Sequence, residues 1–200
     1  MTEKEQPSQR SRGTAKYTWD DTIAAIGRDF STGADRVADE VIEYTSVVRF
    51  CEPWEIGNPL YWYEDVARQA GYKGVVVPWS EIKQTTLGYK FWRPGEPTRF
   101  ATNDKNADSP RNFRQGDPVA PEVPRPPTRV GVVTDLDIEF FEPVCVGDRL
   151  VSRGNKLVNV RVRKTKIGMG AFVNMAYEIY NQEGKLVAKV NQGGFSVTAE

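Results

Sequence analysis

Four runs in the last third of the chain repeat every second residue. Leu136, Ile138 and Phe140 alternate with Asp135, Asp137 and Glu139. Val158, Val160 and Val162 alternate with Asn159, Arg161 and Arg163. Val173, Met175, Tyr177 and Ile179 alternate with polar or small residues, and Leu186, Ala188 and Val190 follow the NQEGK segment at 181–185. Successive side chains of a strand point to opposite faces, so each run carries one apolar face. Turn signals at Gly147-Asp148, at Gly168 to Gly170 and at Glu183-Gly184 separate the runs. NQEGK reads as a hairpin turn. The pattern predicts an antiparallel meander, and a sheet with one apolar face needs a cover.

The first half supplies candidates for that cover. Thr18 followed by Asp20 and Asp21 reads as a capped helix over 18–28, with acids in the turn where the helix dipole favours them. Residues 35–52 mix extended and helical signals, and Val47, Val48 and Cys51 favour a helix over 44–52 that Pro53 ends. Glu64 to Ala70 is predicted helical and stopped by Gly71. Val75, Val76 and Val77 read as a buried extended entry. Pro78 then opens a helix over 79–87, with Gly88 beyond its end. Helices first and a meander afterwards define an α+β fold. No internal repeat is present.

The remaining stretches bound the organisation. Residues 1–16 hold no apolar core, which argues against a secretory signal and for a solvated, disordered tail. Residues 17–200 form one domain by length. Eight of the 13 prolines fall within 90–128 among Gly, Asn, Asp and Arg, so a long irregular loop is expected there, either functional or merely wrapping the domain. No apolar run is long enough to span a membrane.

Composition excludes whole classes of chemistry. The chain has 27 basic and 27 acidic residues and a formal net charge of zero, so no global field favours nucleic acid or an anionic membrane. It has no histidine, which removes Ser-His-Asp triads, Cys-His pairs, histidine bases and most zinc sites. No metal site is visible. Its two cysteines, Cys51 and Cys145, are expected to be buried, inert and reduced, which suits a cytoplasmic protein.

Two segments resemble the N-terminal, FAS1-like type of the MaoC-like dehydratase family. RFCEPWEIGNPLYWYEDVARQAGYKGVVVPWS at 49–80 is similar to the family's helix, Gly-Asp-x-Asn-Pro-Leu motif, acidic helix and apolar run ending in Pro. DLDIEFFEPVCVGDRL at 135–150 is similar to its strand, Pro-Val and Gly-Asp turn. With the closing meander the resemblance covers about 150 residues. It implies a hotdog fold, an antiparallel sheet wrapped around a central helix. It also implies hydration of a 2-enoyl thioester, or the reverse dehydration. A carboxylate and an imidazole shuttle the protons there, while backbone N–H groups at the central helix polarise the thioester carbonyl.

The motif departs from that pattern where catalysis needs it. Aligned on Asn58-Pro59-Leu60, Glu55 stands where the family has Gly, Ile56 where it has the catalytic Asp, and Tyr61 where catalytic domains have His. Isoleucine transfers no proton, and tyrosine is a poor base at neutral pH. The resemblance therefore implies the non-catalytic, substrate-accommodating half of a hydratase or dehydratase. A partner hotdog chain would carry the intact pair. Two alternatives stand beside it: an active homodimer using Glu55 or Tyr61, and a module that only binds acyl thioesters.

Substrate contacts are expected at Asn58, at Pro78, Trp79 and Ser80, and at Arg161 and Lys164, which could meet the phosphates of coenzyme A. Each has a plainer account. Asn58-Pro59 is a helix-aiming turn, Pro78 to Ser80 an ordinary helix start, and the basic run a solvated strand. Tyr61, Trp62 and Tyr63 are expected to pack rather than bind. Gly193-Gly194 is expected to mark a bulge. No cofactor is implied beyond coenzyme A as part of the substrate. An acyl-CoA ligand and a homo- or heterodimer are implied, with no nucleic acid and no membrane.

Overall fold

The computed structural model describes residues 17–82, 94–95 and 120–199. Helix α1 spans Trp19–Ala24. Thr18 caps it in a reciprocal box: the Asp21 amide donates to the Thr18 hydroxyl, and the Thr18 amide donates to Asp21 Oδ2 at 2.7 Å. Such a cap stabilises by about 1 kcal/mol. The helix ends four residues before the predicted Arg28, because Gly27 takes a positive φ and its amide donates to the Leu157 carbonyl instead. Helix α2 spans Tyr44–Cys51 and helix α3 spans Glu64–Gln69, both close to expectation. Of the helix predicted over 79–87, Trp79 to Glu81 form a turn and Ile82 is helical; the rest lies outside the described residues.

A five-stranded antiparallel sheet takes four strands from the C-terminal half and a short edge strand from residues 36–37. Its strands are β1 Arg36–Val37, β2 Thr128–Phe140, β3 Val151–Thr165, β4 Gly168–Tyr180 and β5 Leu186–Thr198. They lie in the order β1-β3-β4-β5-β2. Strands β3, β4 and β5 form the predicted meander, but the first alternating run, β2, does not join it beside β3; it crosses to the far edge and pairs with β5. Residues 181–185 make the turn, with the Asn181 side chain accepting from the amides of Glu183 and Lys185.

Register and strand boundaries correct three readings. In β3, Leu157 pairs Met175 and Asn159 pairs Asn174, so Val158 is an extra residue. The buried positions are therefore Leu157 and Val160, while Val158 and Val162 reach solvent. The turn expected at Gly168 to Gly170 is made by Lys166-Ile167, and the glycines start β4. At Gly170 a Cβ would come within 2.2 Å of the Ser196 carbonyl, so glycine there serves close strand packing. Gly193-Gly194 does mark a bulge, but the extra residue is Thr134 on the facing strand β2.

The main core joins Ile42, Val47 and Cys51 to Val75, Val77 and Ile82 and to Val144, Leu150, Ile179, Val187, Ala188 and Val190. A second cluster puts Ala25 and Phe30 on Leu157, Val160 and Ala171. Both cysteines are buried and free. Asp148 fixes the corner before β3. Its carboxylate accepts from the Cys145 amide, from Gln182 and from Lys73. The closing part of the long loop, from Ala120, runs beside α1, where the Thr22 hydroxyl donates to the Pro124 carbonyl at 2.6 Å. The tail and most of the 90–128 segment lie outside the described residues.

Candidate functional site

The motif segment begins where α2 runs out. Pro53 cannot continue the helix, and Glu52–Trp54 form a 3-10 turn. Glu55 then takes a left-handed conformation, φ 50° and ψ 40°, the only positive φ outside glycine among the described residues. Glycine adopts that conformation freely and other L-residues do so at a cost. A glycine at this place in the resembled motif thus has a backbone reason.

Asn58 caps the next 3-10 turn, Pro59–Tyr61, its side-chain oxygen accepting from the Leu60 amide at 3.1 Å. Two side-chain hydrogen bonds brace the turn. The Trp62 indole donates to the Ile56 carbonyl at 2.7 Å, and the Tyr44 hydroxyl donates to the Trp62 carbonyl at 3.0 Å. Ile56, Tyr61 and Trp62 pack against the main core. Tyr63 is exposed. Glu55 is also exposed.

The apolar entry segment lies alongside. The Val76 amide donates to the Leu60 carbonyl at 3.0 Å, and the Val77 amide to the Val144 carbonyl at 2.8 Å. Val75 to Pro78 are buried, whereas Trp79 and Ser80 reach solvent. Trp79 packs at 49° on Phe140, ring centroids 4.6 Å apart. Asn58, Tyr61 and the Pro78 to Ser80 turn thus belong to one neighbourhood.

Arg161 and Lys164 do not join it. Phe140, Ala188, Ile179 and Ser152 form one cross-sheet row, which sets the level of Trp79 on β3 at Ser152. Arg161 lies nine residues further along β3, roughly 30 Å of strand at about 3.3 Å per residue. Its guanidinium rests on the Phe172 ring, 5.2 Å from the centroid.

Sequence reasoning missed Glu81. It is 3% exposed, and its Oε2 has no hydrogen-bond partner among the described residues. Burial pushes its pKa from 4.5 up to about 6, and the Ser46 hydroxyl offsets part of the rise. The available signal was an acid inside an otherwise apolar run, VVVPWSEI. Cys51, on the facing side of α2, is held above its usual value by burial and by this carboxylate. Among the described residues no cluster of three or more His, Cys, Asp or Glu could hold a metal, and no helix is long and apolar enough to cross a membrane.

A curled antiparallel sheet carrying this motif segment defines the hotdog class. The sequence profile of the FAS1-like dehydratase domain region matches residues 117–190. Solved structures agree on the fold. A chain of the ChsH1-ChsH2 complex from Mycobacterium tuberculosis is 17% identical, covers 90% of this chain and 95% of its own length, and gives a TM-score of 0.59. A chain of the HadBC (3R-hydroxyacyl-ACP dehydratase) complex from the same organism is 17% identical over 86% and 96%, with a TM-score of 0.53. A MaoC-like dehydratase from Rhodospirillum rubrum is 15% identical over 88% and 94%, also at 0.53. No curated protein matches the sequence. The chain thus has the hotdog fold, and its residues 117–190 are similar to the FAS1-like dehydratase domain region.

Proposed function

We propose that this chain is the substrate-accommodating, non-catalytic half of a 2-enoyl-thioester hydratase or dehydratase, and that a second hotdog chain supplies the proton-transferring pair. One observation carries the reading. At the two positions where the family places its acid and its imidazole, the chain has Ile56 and Tyr61, both partly buried and packed against the core. The acid next to them, Glu55, points into solvent from a turn. A general base must reach its proton within about 3 Å, directly or through one water, so an isoleucine and a solvated glutamate make a poor pair.

An incomplete site calls for a partner, and one sheet edge suits it. Among the described residues strand β2 pairs only with β5, and it exposes Val130, Val132, Val133 and Leu136. Long edges with exposed apolar residues invite pairing. Two of the structurally similar chains come from two-component complexes, ChsH1-ChsH2 and HadBC. The substrate is an acyl thioester, most simply of coenzyme A, and no further cofactor is needed.

The test is hydration of crotonyl-CoA by the purified chain, alone and mixed with a hotdog chain that retains Asp and His. Turnover is expected only in the mixture, together with a mass of the two-chain complex in light scattering. Turnover by the chain alone would overturn the non-catalytic reading. Glu55→Gln and Tyr61→Phe would then identify the group responsible.

A further inference from the structure

The face of the sheet turned away from the main core is charged. Ile138, Ile179, Ala188 and Val190 pack in that core, so the residues alternating with them point the other way. Strand pairing sets these outward residues in rows. One row reads Glu139, Lys189, Glu178 and Arg153 across β2, β5, β4 and β3. Most of its charges are engaged. Arg153 pairs with Asp35 at 3.0 Å, Glu178 accepts from the Tyr180 hydroxyl at 2.6 Å, and Lys189 lies over the Phe141 ring. The next row reads Asp137, Asn191, Ala176 and Lys156. Here an acid and a base stand at opposite ends. Three strand spacings, about 14 Å, separate their backbones, whereas an ion pair needs about 4 Å. Among the described residues neither Asp137 nor Lys156 forms an ion pair. Asp29 lies beside Lys156, but its Oδ1 accepts from the amides of Ser31 and Asn155.

The two rows line a cleft of about 460 Å³. That volume lies within the range of about 300–1,000 Å³ that small-molecule sites occupy. Asn191 and Ala176, the short residues in the middle of the second row, leave the space open between the charged ends. We propose that this cleft binds a small zwitterion of about the length of a dipeptide, its ammonium group on Asp137 and its carboxylate on Lys156. Glu139 beside Asp137 and Arg153 beside Lys156 repeat the sign at each end, and Lys189 and Glu178 cancel between them. Charge-assisted hydrogen bonds at both ends hold such a ligand. A ligand with one charge satisfies one end alone, and an α-amino acid holds its two charges too close together to reach both. The cleft lies across the sheet from the motif segment, which packs against the main core, so this site is independent of the thioester reading.

Amide NMR titration of the full chain with 6-aminohexanoate tests this, with hexanoate, hexylamine and glycine as controls. 6-Aminohexanoate is expected to shift the Ala176 and Asn191 amides saturably, with a Kd on the order of 1 mM. Each control should bind at least about ten-fold more weakly, because it loses one charged contact. Asp137→Asn and Lys156→Met should each weaken 6-aminohexanoate by at least about ten-fold. Arg163→Gln removes a charge from the same strand outside the cleft and should leave binding unchanged, and circular dichroism melts verify that all three variants fold. The absence of a saturable shift in wild type would overturn the inference. So would equal binding of the controls, or binding that survives in Asp137→Asn or Lys156→Met.

Discussion

Two stretches frame the candidate site, and they are built in opposite senses. Residues 52–58, between α2 and the Asn58 turn, are mostly solvated: Glu52, Pro53, Trp54, Glu55 and Gly57 are all exposed. Residues 75–82 are mostly sealed, with Val75 to Pro78, Glu81 and Ile82 buried. On the proposed reading the first stretch would carry the chemistry and the second would face the acyl group. The first has Ile56 where the resembled motif has an acid, and the second holds a buried acid, Glu81.

The sharpest way to break this contrast is to truncate one large side chain in each stretch. Ile82→Ala should cost about 2–5 kcal/mol, because the vacated volume lies among residues that cannot close over it. Trp54 is 74% exposed, and Trp54→Ala should change stability by less than about 0.5 kcal/mol in the isolated chain. Urea unfolding of both variants measures this. A large cost for Trp54→Ala appearing only in the two-chain mixture would show that the partner covers the solvated stretch.

The pH dependence of stability gives the next largest effect. The folded chain holds Glu81 at about 6 against an ordinary value of 4.5, so the folded state binds its proton more tightly than the unfolded state does. Stability from this group is fully present below about 4.5, and it is lost as pH rises through about 6. The span is worth about 2 kcal/mol at 1.36 kcal/mol per pKa unit. The carboxyls of Asp21 and Asp29 work the other way. Backbone hydrogen bonds from Thr18 and Ser31 hold them low, so their contribution is lost as pH falls below about 4. Subtracting the Glu81→Gln stability curve from the wild-type curve between pH 4.5 and 7.5 isolates Glu81. A flat difference would mean that its carboxyl is hydrated in solution.

How much of this could be read from the residues depends on what each feature requires. The meander was legible because alternation is a local property, and α1 because Thr18 and Asp21 meet within one turn. The buried side of β3 was not. One extra residue at Val158 reverses the alternation, and a bulge depends on the neighbouring strand as much as on its own residues. The neighbourhood of Asn58, Tyr61 and Pro78 was legible from the motif order. The distance of Arg161 and Lys164 from it was not, since it follows from strand length and register. Glu81 escaped because a lone acid near a helix start ordinarily reads as a solvated, dipole-favoured residue, and only packing against α2 shows that it is buried.

Two smaller effects test the solvated stretch alone. Asn58→Ala removes the side-chain acceptor for the Leu60 amide and should cost about 1 kcal/mol, read as a lowered urea midpoint with an unchanged slope. Glu55 offers the finer test, because two terms oppose each other there. Its left-handed conformation costs an L-residue about 1–2 kcal/mol, which glycine would recover. Glycine also enlarges the conformational freedom of the unfolded chain, which costs about 0.5–1 kcal/mol. Glu55→Gly should therefore stabilise the chain by about 0.5 kcal/mol, and Glu55→Ala, which keeps a Cβ, should not. If Glu55→Gly instead destabilises the two-chain complex while stabilising the isolated chain, the exposed carboxylate is a contact with the partner. The contrast between a solvated stretch and a sealed one would then hold only for the isolated half.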